Sequence, residues 1–385
     1  MQGYIQLFFI ALRLGCTSFG GPTAHLGYFY DEYVKRRQWL TESQYTQLVA
    51  LCQFLPGPAS SQVGFGVGVA KAGVIGGIIS FIGFTLPSVL MLFICARFLN
   101  SSGMDMDWVN GLKVVAVAVV LNAILGMAQK LLPDMKTKLF ALVTLVITLL
   151  VAHPAAQVVA LMLVGLAGWV VFKNERIEPT HIRLFHIHRV VGLSALVLFF
   201  SLLLLLPILN AMSQSTWIAM IDHFYRAGAL VFGGGHVVLP LLEGAFVGEH
   251  MMRADDFITG YALAQAVPGP LFTFAAYIGA VMSGWKGAII ATLAIFLPAF
   301  LLLVGVLPFW EHVQHNAHMR KILKGVSAGV VGILVAAFYD PILTSAVHTR
   351  IDFVFAAILF VLLAYCKVPS WAIVVLGIIG GVILY

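Results

Sequence analysis

Charge is what this chain of 385 residues has least of: Asp, Glu, Lys and Arg make up 10% of it, against 61% hydrophobic residues. Its mean hydropathy is +0.99. Soluble domains carry roughly 25% charged residues, so a soluble fold of this length is excluded. Cysteine is also scarce. Cys16, Cys52, Cys95 and Cys366 lie in or beside apolar runs and form no Cys-x-x-Cys pair, so they read as small buried hydrophobes rather than a redox or zinc site. No Gly-x-x-x-x-Gly-Lys-Ser/Thr loop is present, which removes ATP hydrolysis by this chain, and no His-Glu-x-x-His motif marks a metal centre. A basic tract with interleaved aromatics is missing too. The net charge of +6 comes from dispersed residues at the ends of apolar runs, where they orient helices, and does not indicate nucleic-acid binding. The opening Met1-Gln2-Gly3-Tyr4 lacks a basic region and a cleavage site, so no removable signal peptide is expected. Neither a catalytic set, a cofactor nor a metal is expected, and the chain does not read as an enzyme.

What is present is apolar length and repetition. Runs near 73–96, 190–209 and 285–308 are long enough for a bilayer, which needs about 20 residues. They do not alternate apolar and polar residues as barrel strands would, so the expected class is an all-α polytopic membrane protein. The chain also says nearly the same thing twice. Gln53, Pro56-Gly57-Pro58 and Pro87 recur as Gln265, Pro268-Gly269-Pro270 and Pro298, about 212 positions on. Phe19-Gly20-Gly21 recurs as Phe232-Gly233-Gly234, each six residues after an arginine, Arg13 or Arg226. Repeated interruption of apolar segments in matching places is the sequence-level mark of a secondary transporter and its binding site.

The spacing divides the chain into repeat one (1–173), a linker carrying one extra span (174–213) and repeat two (214–385). In each half a segment breaks at Gly-Gly, a second breaks at Pro-Gly-Pro, and four spans follow. These are expected near 73–96, 110–128, 138–152 and 155–172, and again near 285–308, 323–340, 350–366 and 369–385. Unwound backbone at membrane depth is tolerated only where it is buried in protein or lines a cavity, so the breaks imply a polar cavity. Loop charges predict opposite orientations for the halves. Lys35-Arg36-Arg37 corresponds to Glu249, Arg253, Asp255 and Asp256, and the loop with Arg97, Asp105 and Asp107 corresponds to Glu311, Arg320, Lys321 and Lys324. By the positive-inside rule the expected architecture is two inverted-topology repeats whose broken helices meet at the midplane.

Arg13 and Arg226 are the sharpest candidates for chemistry. A cation inside an apolar segment costs at least about 2.5–3.5 kcal/mol, so it needs a partner or a cavity. Two guanidinium forks at repeat-equivalent positions suit a doubly charged oxyanion. Helices restarting at Gly20-Gly21-Pro22, Gly57, Gly233-Gly234-Gly235 and Gly269 would aim unpaired N–H groups and positive dipole ends at the same anion. Gln53 and Gln265, one turn before each Pro-Gly-Pro, are either ligands or glutamines bonded to freed backbone. Gln62 has Phe274 as its repeat partner, so its role is asymmetric. His236 is an anion contact or proton site; His25, Glu32 and Glu243 are candidates for coupling or for neutralising arginines. Lys113 is expected to snorkel. Gly64-x-Gly66-x-Gly68 resembles a nucleotide fingerprint only superficially and reads as a close helix contact.

Ser18-Phe19-Gly20-Gly21-Pro22 with His25, Glu32, Trp39 and Gln53-Phe54-Leu55-Pro56-Gly57-Pro58 resembles the signature of the chromate ion transporter family. In the second half Phe232-Gly233-Gly234-Gly235-His236, Gln265-Ala266-Val267-Pro268-Gly269-Pro270 and Tyr339-Asp340-Pro341 are similar to its two-domain bacterial members, so the likeness covers essentially the whole chain. The resemblance implies export of chromate across a bacterial inner membrane, conferring chromate resistance, with sulfate as a competitor. Transport or channel conduction of another oxyanion such as sulfate is the alternative. A membrane scaffold is disfavoured by the symmetric polar residues, and a homodimer is left open.

Overall fold

The computed structural model describes residues 2–18, 21–101, 107–151, 155–172, 187–213, 215–231, 237–310 and 317–384. Helix is the only regular structure among them. The first half contains α1 (Gln2–Thr17), α2 (Gly21–Phe29), α3 (Glu42–Phe54), α4 (Ala59–Ser101), α5 (Asp107–Leu131), α6 (Met135–Leu150) and α7 (Ala155–Val171). After α8 (Arg189–Met212) the same seven-part order returns as α9 (Thr216–Leu230), α10 (Val238–Phe246), α11 (Ala254–Ala266), α12 (Phe274–Val306), α13 (Ala317–Ala337), α14 (Arg350–Ala364) and α15 (Ser370–Leu384). Among the described residues, five stretches are long and apolar enough to span a bilayer: Ala59–Phe98, Asn110–Gln129, Arg189–Met212, Leu271–Phe309 and Arg320–Asp340.

Length alone would make α4 one span, but its backbone folds back. Ala72 and Gly73 leave helical geometry, Gly73 with φ +68°, and Ser283 and Gly284 do the same in α12, Gly284 with φ +63°. The arms on either side lie against each other. A Cβ on Gly68 would strike the Gly76 carbonyl, one on Gly76 would strike that of Gly68, and Ser80 Oγ donates to the Gly64 carbonyl at 2.9 Å. The glycine run therefore serves helix contact, as its sequence suggested. Repeat two uses Gly279 and Gly287 in the same way.

The Pro-Gly-Pro breaks are likewise reversals. A Cβ on Gly66 would lie 2.7 Å from Leu48 Cδ1, so α3 and the first arm of α4 run antiparallel about Gly57. Lys71, at the far end of that arm, sits 5.0 Å from the Trp39 ring beside the start of α3. The segment thus enters and leaves by the same face. Its counterpart, α11 with the first arm of α12, closes where Gly260 meets the Tyr277 ring. Each repeat therefore contributes a re-entrant helical hairpin with a Pro-Gly-Pro tip. Beyond its turn the second arm of α4, residues 74–101, runs roughly 40 Å at 1.5 Å per residue, enough to reach the opposite face.

Candidate functional site

The hairpin tips cross between the repeats. Gly57 N–H donates to the Val231 carbonyl at 2.7 Å, and Gly269 N–H donates to the Ser18 carbonyl at 2.9 Å. Val231 and Ser18 are the last described residues before Phe232-Gly233-Gly234 and Phe19-Gly20-Gly21, so each Pro-Gly-Pro tip bonds the helix end that leads into the Gly-Gly of the other half. Both glycines have positive φ, +115° and +103°, which L side chains rarely adopt. Each also rests on the proline-bearing helix of the other repeat. A Cβ on Gly57 would lie 2.6 Å from Ala299 Cβ, and one on Gly269 would lie 2.9 Å from Ser88 Oγ. Ala299 and Ser88 directly follow Pro298 and Pro87, the third landmark of the duplication. Freed backbone groups are thereby bonded across the junction, as buried polar backbone must be.

Polar side chains gather here, mostly from repeat one. His25 is buried, its Nε2 3.2 Å from the Ser18 carbonyl and its Nδ1 3.3 Å from Ser60 Oγ. A carbonyl only accepts, so Nε2 carries the proton and Nδ1 accepts from Ser60. The imidazole edge packs on Phe84, with centroids 5.5 Å apart. Gln62, fully buried, donates from Nε2 to the Pro56 carbonyl (3.0 Å) and the Ala299 carbonyl (3.2 Å), stapling the first tip to repeat two. Phe274 takes that place in the other half, so the asymmetry read from sequence is structural. Ser88 Oγ donates to the Thr85 carbonyl at 2.9 Å. Five buried polar atoms near the two breaks have no hydrogen-bond partner: Ser18 Oγ, Ser61 Oγ, Gln62 Oε1, Thr85 Oγ1 and Gln265 Nε2. Sequence reading had not singled out Ser60, Ser61 or Thr85. The available signal was the pair Ser60-Ser61, one residue beyond the first Pro-Gly-Pro, where the second is followed by Leu271-Phe272-Thr273.

The two arginines each have a carboxylate of their own repeat. Arg13 bonds Glu32, which also accepts from Arg37 Nε at 2.8 Å and Arg36 NH1 at 3.2 Å. Burial would raise the Glu32 carboxyl, but Arg37, Arg13 and Arg36 together hold it below the usual carboxylate range. Arg226 forms a fork on Asp222, Nε to Oδ1 at 2.8 Å and NH2 to Oδ2 at 2.6 Å. Asp222 is fully buried and also accepts from Asn210 Nδ2 at 3.1 Å. His223 joins this group, Nδ1 3.1 Å from Arg226 NH2 and Nε2 3.2 Å from Glu249. Asp222 stands one helical turn before Arg226, a spacing the sequence displayed and that sequence reading passed over.

Of the other expected site residues, Gln53 is exposed and Gln265 half-buried. Gly21 and Pro22 open α2, while Gly20, Gly233, Gly234, Gly235 and His236 lie outside the described residues. Lys113 does not snorkel: its Nζ lies 2.7 Å from Asp255 Oδ1, because α11 brings a carboxylate of the other repeat to it. Glu243 faces Asp340 across a cavity of about 370 Å³ that Thr148 and Gln157 also line. A second cavity, about 280 Å³ between Leu161, Met162, Leu230 and Ile322, is apolar and offers nothing to an anion. No group of three or more metal-ligating side chains occurs among the described residues.

The duplication has a family counterpart. The sequence profile described as chromate transporter matches residues 5–169 and again residues 218–382. The chain is 26% identical to the uncharacterized transporter MJ0718 of Methanocaldococcus jannaschii, covering 99% of this chain and 94% of that one. It is 28% identical to the chromate transport protein of Pseudomonas aeruginosa, over 88% of this chain and 81% of the relative. Identity is also 28% to the chromate transport protein of Cupriavidus metallidurans, over 86% and 81%. No solved structure matches the chain. With both halves matched in the same order as the paired hairpins, this multi-pass membrane chain belongs to the chromate transporter family.

Proposed function

We propose that the protein is a secondary transporter that exports chromate, a divalent tetrahedral oxyanion, from the cytoplasm across a bacterial inner membrane. The observation that carries this is the likeness, over most of both chains, to relatives named as chromate transport proteins. Direction follows from charge. A dianion leaving an inside-negative cell gains roughly 4.6 kcal/mol per 100 mV, which sustains an outward gradient on the order of a thousandfold without ATP. The anion binds where the two Pro-Gly-Pro tips cross, at Gly57 and Gly269, with Gln53 and Gln265 one turn away. Arg13 and Arg226 lend positive potential while Glu32 and Asp222 prevent either from trapping the ion. Alternating access is a rocking of one hairpin pair against the other about this junction.

The scheme takes residues 1–173 and 214–385 as inverted repeats and α8, within 174–213, as the span that turns the second half over. Ion pairs between the halves favour inversion. Asp255 at the start of α11 meets Lys113 near the start of α5, on the face reached by the second arm of α4, whereas α3 starts on the face of Lys71 and Trp39. Lys324 meets Asp134 at 3.7 Å, pairing loops that the positive-inside rule assigns to the cytoplasm. Reactive cysteines at positions 105 and 320 label from opposite sides on this reading, and labelling from one side sinks it. Of the coupling candidates, Glu32 is saturated by arginines, which leaves Glu243, facing Asp340, as the carboxyl placed to share a proton.

The deciding experiment is chromate uptake into everted membrane vesicles, with and without an imposed potential. Uptake that depends on this protein and collapses with the potential is expected. Potential-independent uptake removes the driving-force reading, and uptake of sulfate but not chromate reassigns the substrate.

A further inference from the structure

The two Pro-Gly-Pro breaks restart their helices differently. In repeat one the first intrahelical bond is Gln62 N–H to the Pro58 carbonyl at 2.9 Å, so the N–H groups of Ala59, Ser60 and Ser61 precede the ladder and point out of the helix end. In repeat two the equivalent turn is closed. Leu271–Thr273 winds as a 3₁₀ turn, Thr273 N–H bonds the Pro270 carbonyl at 3.0 Å, and Thr273 Oγ1 donates to the same carbonyl at 2.7 Å. The partners of Ser60 and Gln62 there are the buried rings of Phe272 and Phe274. One helix end thus leaves three N–H groups ahead of its ladder beside hydroxyls, whereas its repeat mate turns both the N–H and the hydroxyl of Thr273 onto Pro270 and is otherwise apolar.

A second observation points to a ligand at the repeat-one end. Ser61 Oγ, in its first turn, is buried without a partner, and Ser61 is 2% exposed. Ser18 (0% exposed) and Thr85 (3%) carry two more orphan hydroxyls. His25 joins Ser18 to Ser60, Gly269 N–H bonds the Ser18 carbonyl, and the Thr85 carbonyl holds Ser88 beside Gly269, so these residues are linked by one chain of contacts at the crossing of the tips. Leaving a buried hydroxyl unpaired costs about 1–3 kcal/mol, a cost that an acceptor bound by the three would remove; Gln62 Oε1, also without a partner, is itself an acceptor and lies outside this donor set.

We infer that the transported dianion is seated asymmetrically, on the backbone N–H groups of Ser60 and Ser61 and the hydroxyls of Ser18, Ser61 and Thr85, with repeat two as the apolar wall. The ligand class is a tetrahedral divalent oxyanion, which fits a helix N-terminus and neutral donors. A site without a free cation also releases a dianion more readily than an arginine clamp, as turnover requires. The inference rests on the transport reading above.

Its test is calorimetric titration of the purified full chain with chromate and, separately, with sulfate, alongside vesicle uptake. Ser61→Ala, Ser18→Ala and Thr85→Val are each expected to weaken binding about tenfold to a hundredfold, the value of a hydrogen bond to a charged group. Ser61→Thr, which keeps the hydroxyl, restores affinity to within about threefold, separating donor loss from misfolding. Thr273→Val in repeat two leaves affinity within about twofold of the parent. Unchanged affinity in Ser61→Ala and Ser18→Ala overturns the seat while leaving transport standing, and so does an equal loss in Thr273→Val. A parent that binds sulfate through these hydroxyls yet moves no chromate defeats the substrate reading and supports the seat. A parent that binds neither anion overturns both.

Discussion

Replacing Gly57 by alanine tests the crossing of the hairpin tips most directly. Two costs can be worked out from its surroundings. The backbone stands at φ +115°, where an L residue costs about 1–3 kcal/mol. The new methyl would also lie 2.6 Å from Ala299 Cβ, a contact between two rigid atoms, and overpacking of this kind costs about 1–3 kcal/mol more. Gly57→Ala is therefore expected to lose roughly 2–6 kcal/mol and to displace the N–H that bonds Val231. Gly269→Ala has the same backbone penalty at φ +103°, but its neighbour is the hydroxyl of Ser88, which can rotate away by giving up its bond to Thr85. Its cost is smaller, roughly 2–4 kcal/mol. Denaturant titration of the detergent-solubilised protein measures both. A double-mutant cycle with Ala299→Gly isolates the steric part, expected as a favourable coupling of about 1–3 kcal/mol. Additivity within about 0.5 kcal/mol, or a Gly269→Ala variant less stable than Gly57→Ala, would falsify the tip geometry.

Three further outcomes follow from the charge arrangement. Arg226→Ala strands the fully buried Asp222 carboxylate and is expected to destabilise by about 3–5 kcal/mol, whereas Arg226→Ala combined with Asp222→Asn recovers much of the loss; equal damage in both would show that the fork is not the reason. Exchanging the charges of Lys113 and Asp255 should restore the stability that either single reversal removes, read by thermal unfolding, and an additive double mutant would separate the two helices. Asp134 caps α6, and the Thr137 backbone N–H, opposed by some desolvation and aided by the Thr137 hydroxyl and Lys324, holds its carboxyl below the ordinary 3.8. A depressed carboxyl stabilises above its unfolded value and loses that contribution as pH falls through the folded one. Asp134→Ala should therefore cost about 1 kcal/mol at neutral pH and progressively less below about pH 4; a pH-independent difference would contradict the cap.

Much of the architecture was legible because membrane constraints are written in composition. Scarce charge and long apolar runs dictate spanning helices, and the spans expected near 110–128, 190–209 and 323–340 coincide with the membrane-length stretches 110–129, 189–212 and 320–340. The duplicated arginine, Gly-Gly and Pro-Gly-Pro landmarks located the breaks, since only glycine and proline interrupt a helix so sharply. A break in one dimension does not say which way the chain continues. Whether Pro-Gly-Pro kinks a span or reverses it depends on what α3 packs against, and the contacts of Leu48 with Gly66 and Lys71 with Trp39 decide for reversal. Partner choice is likewise three-dimensional. Arg13 finds Glu32 through the fold, 19 residues away, and Lys113 finds Asp255 in the other repeat, neither of which periodicity announces. The helix end at Ser60 and Ser61 became distinct from its repeat mate only when hydrogen bonds showed Thr273 spending its hydroxyl on its own turn. Residue type fixes which groups demand a partner at membrane depth; only packing decides who supplies it.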